Sequence, residues 1–132
     1  MSRILLADDD FVGLDLRKQV LESAGHEVAV AFNPAQTLRQ LERGWATLLI
    51  MDLRFLNAAG EPDSREGMTL IRRIREQGYG APVVVLSGWP EELYGQPEEK
   101  MVSRVMVKPV RTRELLDAIA ELAGEKRASH QP

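Results

Sequence analysis

An open α/β fold, with helices on both faces of a five-stranded parallel sheet, is what this sequence predicts. Three observations predict it. Short apolar runs of strand length recur along the chain, from Ile4-Leu5-Leu6-Ala7 to Val105-Met106-Val107. Stretches with helical spacing of apolar residues separate them, and strands that alternate with helices pair in parallel through crossovers. Several of the runs are apolar throughout, as expected of strands covered on both faces. At 132 residues the chain suits one domain with a sizeable core.

The elements follow in order. Ile4-Leu5-Leu6-Ala7 is a first buried strand, closed by Asp8-Asp9-Asp10. Phe11 to Ala24 has helical period, with Leu16, Val20, Leu21 and Ala24 on one face and Gly25 as the stop; Leu14 falls off that face and is expected to be exposed. Glu27 to Ala31 is a second strand. Asn33 and Pro34 cap and start a short helix to about Arg43, with Leu38 and Leu41 inward. Thr47-Leu48-Leu49-Ile50-Met51-Asp52 is a third strand that ends on a carboxylate. Leu53 to about Ser64 reads as a long loop broken by Asn57, Gly60 and Pro62. Ser64 then caps a helix through Gln77, with Met68, Leu70, Ile71 and Ile74 inward. Pro82 to Ser87 is the fourth strand. Pro90, Gly95 and Pro97 interrupt the next stretch, so an irregular fourth helix is expected, reduced to short mobile turns such as Pro97 to Ser103. Val105-Met106-Val107 is the fifth strand, closed by Lys108-Pro109. Thr112 caps a last helix, with Leu115, Leu116, Ile119 and Leu122 inward, to Gly124. Residues 125–132 read as a polar tail. Right-handed crossovers leave few arrangements, and the flavodoxin-like strand order 2-1-3-4-5 fits best.

Composition removes several function classes. Hydrophobic residues make up 44% of the chain and charged residues 28%, which suits a globular domain rather than a disordered one. The net charge is −3 with no basic block, so direct contact with nucleic acid is not expected. With no cysteine there are no disulfides, zinc thiolates or thiol nucleophiles. No signal peptide precedes the first strand and no run approaches membrane-spanning length, so a cytoplasmic protein with no membrane partner is the simplest expectation.

Parallel strands bring their carboxyl ends to one rim of the sheet. Asp8 and Asp9 end the first strand, Asp52 the third, Ser87 the fourth and Lys108 the fifth. A solvated turn, a cap or a surface charge explains any one of them; their shared edge is harder to dismiss. Carboxylates held together repel one another, and a divalent cation relieves the repulsion. Oxygen-only ligands favour Mg²⁺. A carboxylate can take a phosphoryl group as an acyl phosphate, with Lys108 offsetting its charge and Ser87 donating to a phosphoryl oxygen.

Four motifs, Leu5-Leu6-Ala7-Asp8-Asp9-Asp10, Leu49-Ile50-Met51-Asp52, Val84-Val85-Leu86-Ser87-Gly88 and Val107-Lys108-Pro109, closely resemble the receiver domain of two-component response regulators. The resemblance runs from Ile4 to about Gly124 and defines a receiver domain over residues 1–124. It implies that Asp52 is the phosphoacceptor. Asp9, Asp52 and the backbone carbonyl of Arg54 would ligate Mg²⁺, and Asp8 would act through water. It implies that Ser87 is the switch hydroxyl, that Lys108 contacts the phosphate, and that the Lys108-Pro109 bond is cis. The phosphodonor would be a histidine kinase or a histidine phosphotransfer protein, docking near the start of the first helix, where Leu14 is a candidate contact. Arg54 and Trp89 stand where the family tunes the slow self-hydrolysis of the acyl phosphate.

Three features depart from the family pattern. The loop after Asp52 is longer than usual and carries Glu66-Gly67 in place of Asp-Gly. Val105 replaces the aromatic three residues before the lysine. The stretch before the fifth strand is broken by Pro and Gly. The leading expectation is a stand-alone receiver that switches an unknown downstream protein on phosphorylation and is not itself an enzyme. The alternative is a diverged receiver serving as a phosphorylation-independent interaction module.

Overall fold

A computed structural model of the chain describes residues 1–129, with side chains described through Gly124. Its centre is a parallel sheet of β1 (Arg3–Ala7), β2 (Glu27–Ala31), β3 (Leu48–Asp52), β6 (Val83–Ser87) and β7 (Arg104–Val107), in the order β2-β1-β3-β6-β7. Numbered among these five strands alone, that is the expected 2-1-3-4-5. The skipped labels belong to a small antiparallel hairpin, β4 (Phe55–Leu56) and β5 (Pro62–Asp63), inside the connection after β3.

Alternation along each strand divides the core in two. Leu5, Ala7, Leu49, Met51, Val83 and Val85 face one side. There they meet Leu41 of α2 (Pro34–Glu42) and Leu70, Ile71 and Ile74 of α3 (Ser64–Glu76). Ile4, Leu6, Leu48, Ile50, Val84 and Leu86 face the other side. They pack on Leu14 and Leu21 of α1 (Phe11–Ser23) and on Leu115, Ile119 and Leu122 of α4 (Thr112–Ser129). Burying one such side chain contributes about 1.5–3 kcal/mol. Among the described residues no helix is long and apolar enough to cross a membrane.

Register sets where the functional rim lies. Ala7 pairs with Met51, Asp52 with Leu86, and Ser87 with Val107. The residues just past those pairs, Asp8 and Lys108, therefore share one edge with Asp52 and Ser87.

Five expectations need correction. In α1, Leu14 is 1% exposed and Leu16 is 59% exposed, the reverse of the predicted face; Val20 and Ala24 are also exposed. Apolar residues lie on both sides of this helix. Positions two apart differ by about 200° around the axis, so spacing alone could not choose between the Leu14/Leu21 and Leu16/Val20 stripes.

The loop after Asp52 is ordered rather than structureless. Asn57 Oδ1 accepts from the amides of Ala59 and Glu61, closing the β4–β5 turn, and Leu53 and Phe55 are buried. Two-residue strands are too short to show a period, and Asn, Gly and Pro serve a hairpin turn as readily as an open loop. Asp63, not Ser64, caps α3, accepting from the Arg65 amide.

The segment after β6 holds two short 3₁₀ turns, Pro90–Glu92 and Pro97–Met101, in place of a fourth helix, as expected. It is tied down rather than loose. Leu93 is fully buried, Arg72 pairs with buried Glu98 at 2.8 Å, and Arg75 donates to Met101 O at 2.8 Å.

Finally, α4 does not stop at Gly124 but continues to Ser129. Gly25, Gly44 and Gly78 follow α1, α2 and α3 with positive φ, whereas Gly124 has none. A lone helical glycine costs about 1 kcal/mol against Ala, and the Glu-Lys-Arg-Ala run after it favours helix. The expected polar tail is thus helical as far as 129; residues 130–132 lie outside the described residues.

Candidate functional site

The rim brings together every side chain that the sequence placed there. Lys108 Nζ lies 3.0 Å from Asp8 Oδ2 and 3.1 Å from Asp52 Oδ2, bridging the ends of β1 and β3 from beyond β7. The Lys108-Pro109 bond is cis. Asp8 is almost wholly buried and orders the turn after β1, its Oδ1 accepting from the Asp10 amide at 3.0 Å. Asp10 in turn caps α1 through the Gly13 amide. Asp9 is held from the other side, its Oδ2 accepting from the Leu56 amide of the hairpin at 3.1 Å. Asp52 Oδ1 accepts from the Arg54 amide at 3.3 Å. Ser87 is 1% exposed, and its Oγ accepts from the Trp89 amide at 3.0 Å, leaving the hydroxyl proton free to be donated.

Electrostatics follow from this crowding. Burial raises Asp52 above its ordinary value of 3.8; the Lys108 charge opposes the shift and Asp8 adds to it. Burial, followed by the Asp8 charge, likewise raises Asp9. Burial pulls Lys108 down, but the charges of Asp52 and Asp8 together hold its ammonium above the ordinary 10.5. Of the three acids, Asp8 and Asp52 share one cation at hydrogen-bond range, with Arg17 farther off at 4.0 Å from Asp8.

Among the described residues one set could hold a metal ion: Asp8, Asp9 and Asp52 offer oxygens that lie within 4.8 Å of one another. Oxygens bound to octahedral Mg²⁺ at about 2.05 Å are about 2.9 Å apart when adjacent and about 4.1 Å apart when opposite. The donor set is all oxygen and its charge excess favours a cation, so these residues suit a hard divalent ion once the carboxylates draw together around it.

Two contacts escaped the sequence reading. Arg17 lies on the α1 face that carries Leu14 and Leu21; a correct choice of stripe would have found it. Glu92 binds the Arg54 guanidinium through two hydrogen bonds, 2.9 Å to Nε and 3.1 Å to Nη2, and the guanidinium carbon lies 3.6 Å from the Trp89 ring centroid. No local signal marks Glu92, which sits in a turn 38 residues from Arg54.

The family model of the response regulator receiver domain matches residues 4–120. The chain belongs to this family. Receiver domains are signalling phosphoacceptor modules of two-component systems rather than classical enzymes. Among curated proteins, this receiver is 36% identical over 86 residues to the transcriptional regulatory protein GlrR of Escherichia coli, covering 65% of this chain and 18% of that one. It is 28% identical over 123 residues to the DNA-binding transcriptional regulator NtrC of a Bradyrhizobium strain, covering 92% of this chain and 24% of that one. The chain therefore spans about a fifth of the length of these regulators. A 14.6 kDa uncharacterised protein of Leptolyngbya boryana is 33% identical, over 89% of this chain and 87% of its own.

Among solved structures, a CheY-like receiver domain from Methanospirillum hungatei superposes with TM-score 0.76 at 26% identity, covering 97% of this chain and 98% of its own. The response regulator TrrA of Thermotoga maritima, solved in complex with Mg²⁺-BeF, superposes with TM-score 0.77 at 24% identity, covering 92% and 99%. The acidic triad of this receiver is consistent with a Mg²⁺ site of the same family.

Proposed function

We propose that this receiver accepts a phosphoryl group on Asp52 from a phosphohistidine donor in a Mg²⁺-dependent reaction. The observation that carries the reading is the bridging of Asp8 and Asp52 by Lys108, with Asp9 beside them. An Asp52 carboxylate oxygen forms the new O–P bond while the donor's N–P bond breaks, and the imidazole departs with a proton from solvent. Mg²⁺ would be held by Asp9, Asp52 and the Arg54 carbonyl, with Asp8 acting through water, and would supply charge neutralisation. Lys108 offsets charge on the phosphoryl oxygens, and the Ser87 hydroxyl donates to one of them. Acetyl phosphate with Mg²⁺ labels the wild-type protein, and Asp52→Asn takes no label; equal labelling of both overturns the assignment. Labelling that leaves the amide spectrum around Ser87 and Lys108 unchanged would instead favour the phosphorylation-independent interaction module.

The donor's docking face is reassigned. Leu14 is buried and cannot be a contact. Phe11, Val12, Leu16 and Val20 are the exposed apolar residues of α1, and Leu16 and Val20 line a groove with Val110 and Leu115. Leu16→Asp is expected to slow transfer from a histidine donor roughly tenfold, about 1.4 kcal/mol, while labelling by acetyl phosphate stays at the wild-type rate. Equal loss with both donors would show damage to the fold rather than to docking.

A further inference from the structure

We propose that Glu92 is a positioning residue for phosphoryl transfer, holding the Arg54 guanidinium on Trp89 and away from the anion that approaches Asp52. The proposal rests on the reading of Asp52 as the acceptor.

Arg54 is fixed at both ends. Its amide donates to Asp52 Oδ1, so the residue starts at the acceptor itself. Its side chain reaches out to Glu92, which takes the Nε and Nη2 edge, while the Trp89 ring covers one face of the guanidinium. Trp89 is tied in turn to Ser87 Oγ through its amide. Three residues from two segments of the chain thus meet at the mouth of the site, and Arg54 and Trp89 are each linked to a group that would face the phosphoryl. Glu92 stays in place because its 3₁₀ turn leads directly into fully buried Leu93.

The consequence is electrostatic. A guanidinium paired with a carboxylate presents almost no net charge to a third group. Only the amine Nη1 of Arg54 is left without a Glu92 partner. The pair is partly exposed, with side chains 27% and 29% accessible, so it can open and re-form. Removing the Glu92 charge leaves a free cation whose own backbone touches Asp52, and an anionic phosphodonor gains a partner at the mouth. In the step itself the Asp52 oxygen forms the O–P bond, the acetyl O–P bond breaks, and acetate leaves with the electron pair.

The test is the initial rate of labelling against acetyl phosphate concentration, with Mg²⁺, for wild type, Glu92→Gln, Arg54→Ala and the double variant. Glu92→Gln is expected to raise the rate at low donor concentration about two- to fivefold, the range of one partly exposed ion pair. The gain enters through the half-saturating concentration rather than the maximal rate. It shrinks as salt is raised from roughly 0.05 to 0.5 M, because a freed cation is screened. It is absent when Glu92→Gln is made in the Arg54→Ala background. A wild-type rate in Glu92→Gln, a gain indifferent to salt, or the same gain without Arg54 overturns the proposal. If the wild-type protein itself takes no label, the acceptor reading falls and this one falls with it.

Discussion

Replacing Lys108 by Met keeps the unbranched apolar stem and removes the ammonium between Asp8 and Asp52. Each ion pair, at 3.0 and 3.1 Å, has a gross attraction of about 5 kcal/mol at an effective dielectric constant near 20. Most of that offsets the desolvation of acids whose side chains are only 5% and 15% exposed. Taking one partner from a buried pair costs about 3–5 kcal/mol. The Lys108 side chain is 27% exposed, so solvent screens part of this loss and the net destabilisation should be about 2–3 kcal/mol. For a domain of this size that lowers the midpoint of thermal unfolding by about 10 °C. The sign with pH is definite. Lys108 is held above 10.5, so its contribution is present below that value and is lost only as pH rises through the raised one. The variant lacks it throughout, and its deficit shrinks in acid as the stranded carboxylates take up protons. Mg²⁺ should restore more stability to the variant than to wild type, because the ion then neutralises two unpaired acids. Thermal melts followed by circular dichroism at pH 7, with and without Mg²⁺, measure both effects. A melt within about 2 °C of wild type, or equal stabilisation by Mg²⁺, would refute the claim that Lys108 is the cation on which the acidic rim depends.

Two further outcomes follow from the same geometry. Gly67→Ala would drive a Cβ into the Leu53 carbonyl oxygen, a backbone atom that cannot swing aside. It should cost about 3 kcal/mol in urea denaturation, and a wild-type midpoint would show that α3 does not pack so closely on the chain leaving Asp52. Burial raises Asp9 and Asp52 above 3.8. In the metal-free protein these groups contribute stability that is present below 3.8 and lost as pH rises through the raised values. Protons therefore compete with the cation, and apparent Mg²⁺ affinity, followed by tryptophan fluorescence, should fall as pH drops from neutral toward the carboxylate range; affinity that stays constant down to about pH 4 would contradict the raised carboxylates.

Legibility differed sharply between elements. Strands buried on both faces are apolar throughout, so Leu48 to Met51 and Val83 to Leu86 stood out without any partner in view. The polar rim was legible for the same reason, since Asp8, Asp52, Ser87 and Lys108 are the residues at which those runs stop being apolar. In α1 two apolar stripes compete, and only the position of the sheet beneath it chooses Leu14 over Leu16. The β4–β5 hairpin is held by side-chain and long-range contacts, the Asn57 amide at its tip and the Leu56 amide on Asp9, and neither leaves a period to read.

Local chemistry along the chain, then, determined the fold class and the identity of the groups at the carboxyl edge, because burial on two faces and the end of a strand both leave a mark in consecutive residues, and the handedness of crossovers narrowed the strand order. Tertiary structure alone decided which face of α1 is buried, how the connection after Asp52 folds, and that Glu92 reaches Arg54 from 38 residues away. Those outcomes depend on which surfaces meet once the sheet has formed. A contact between distant positions whose residue types are individually ordinary leaves no trace in the order of the amino acids.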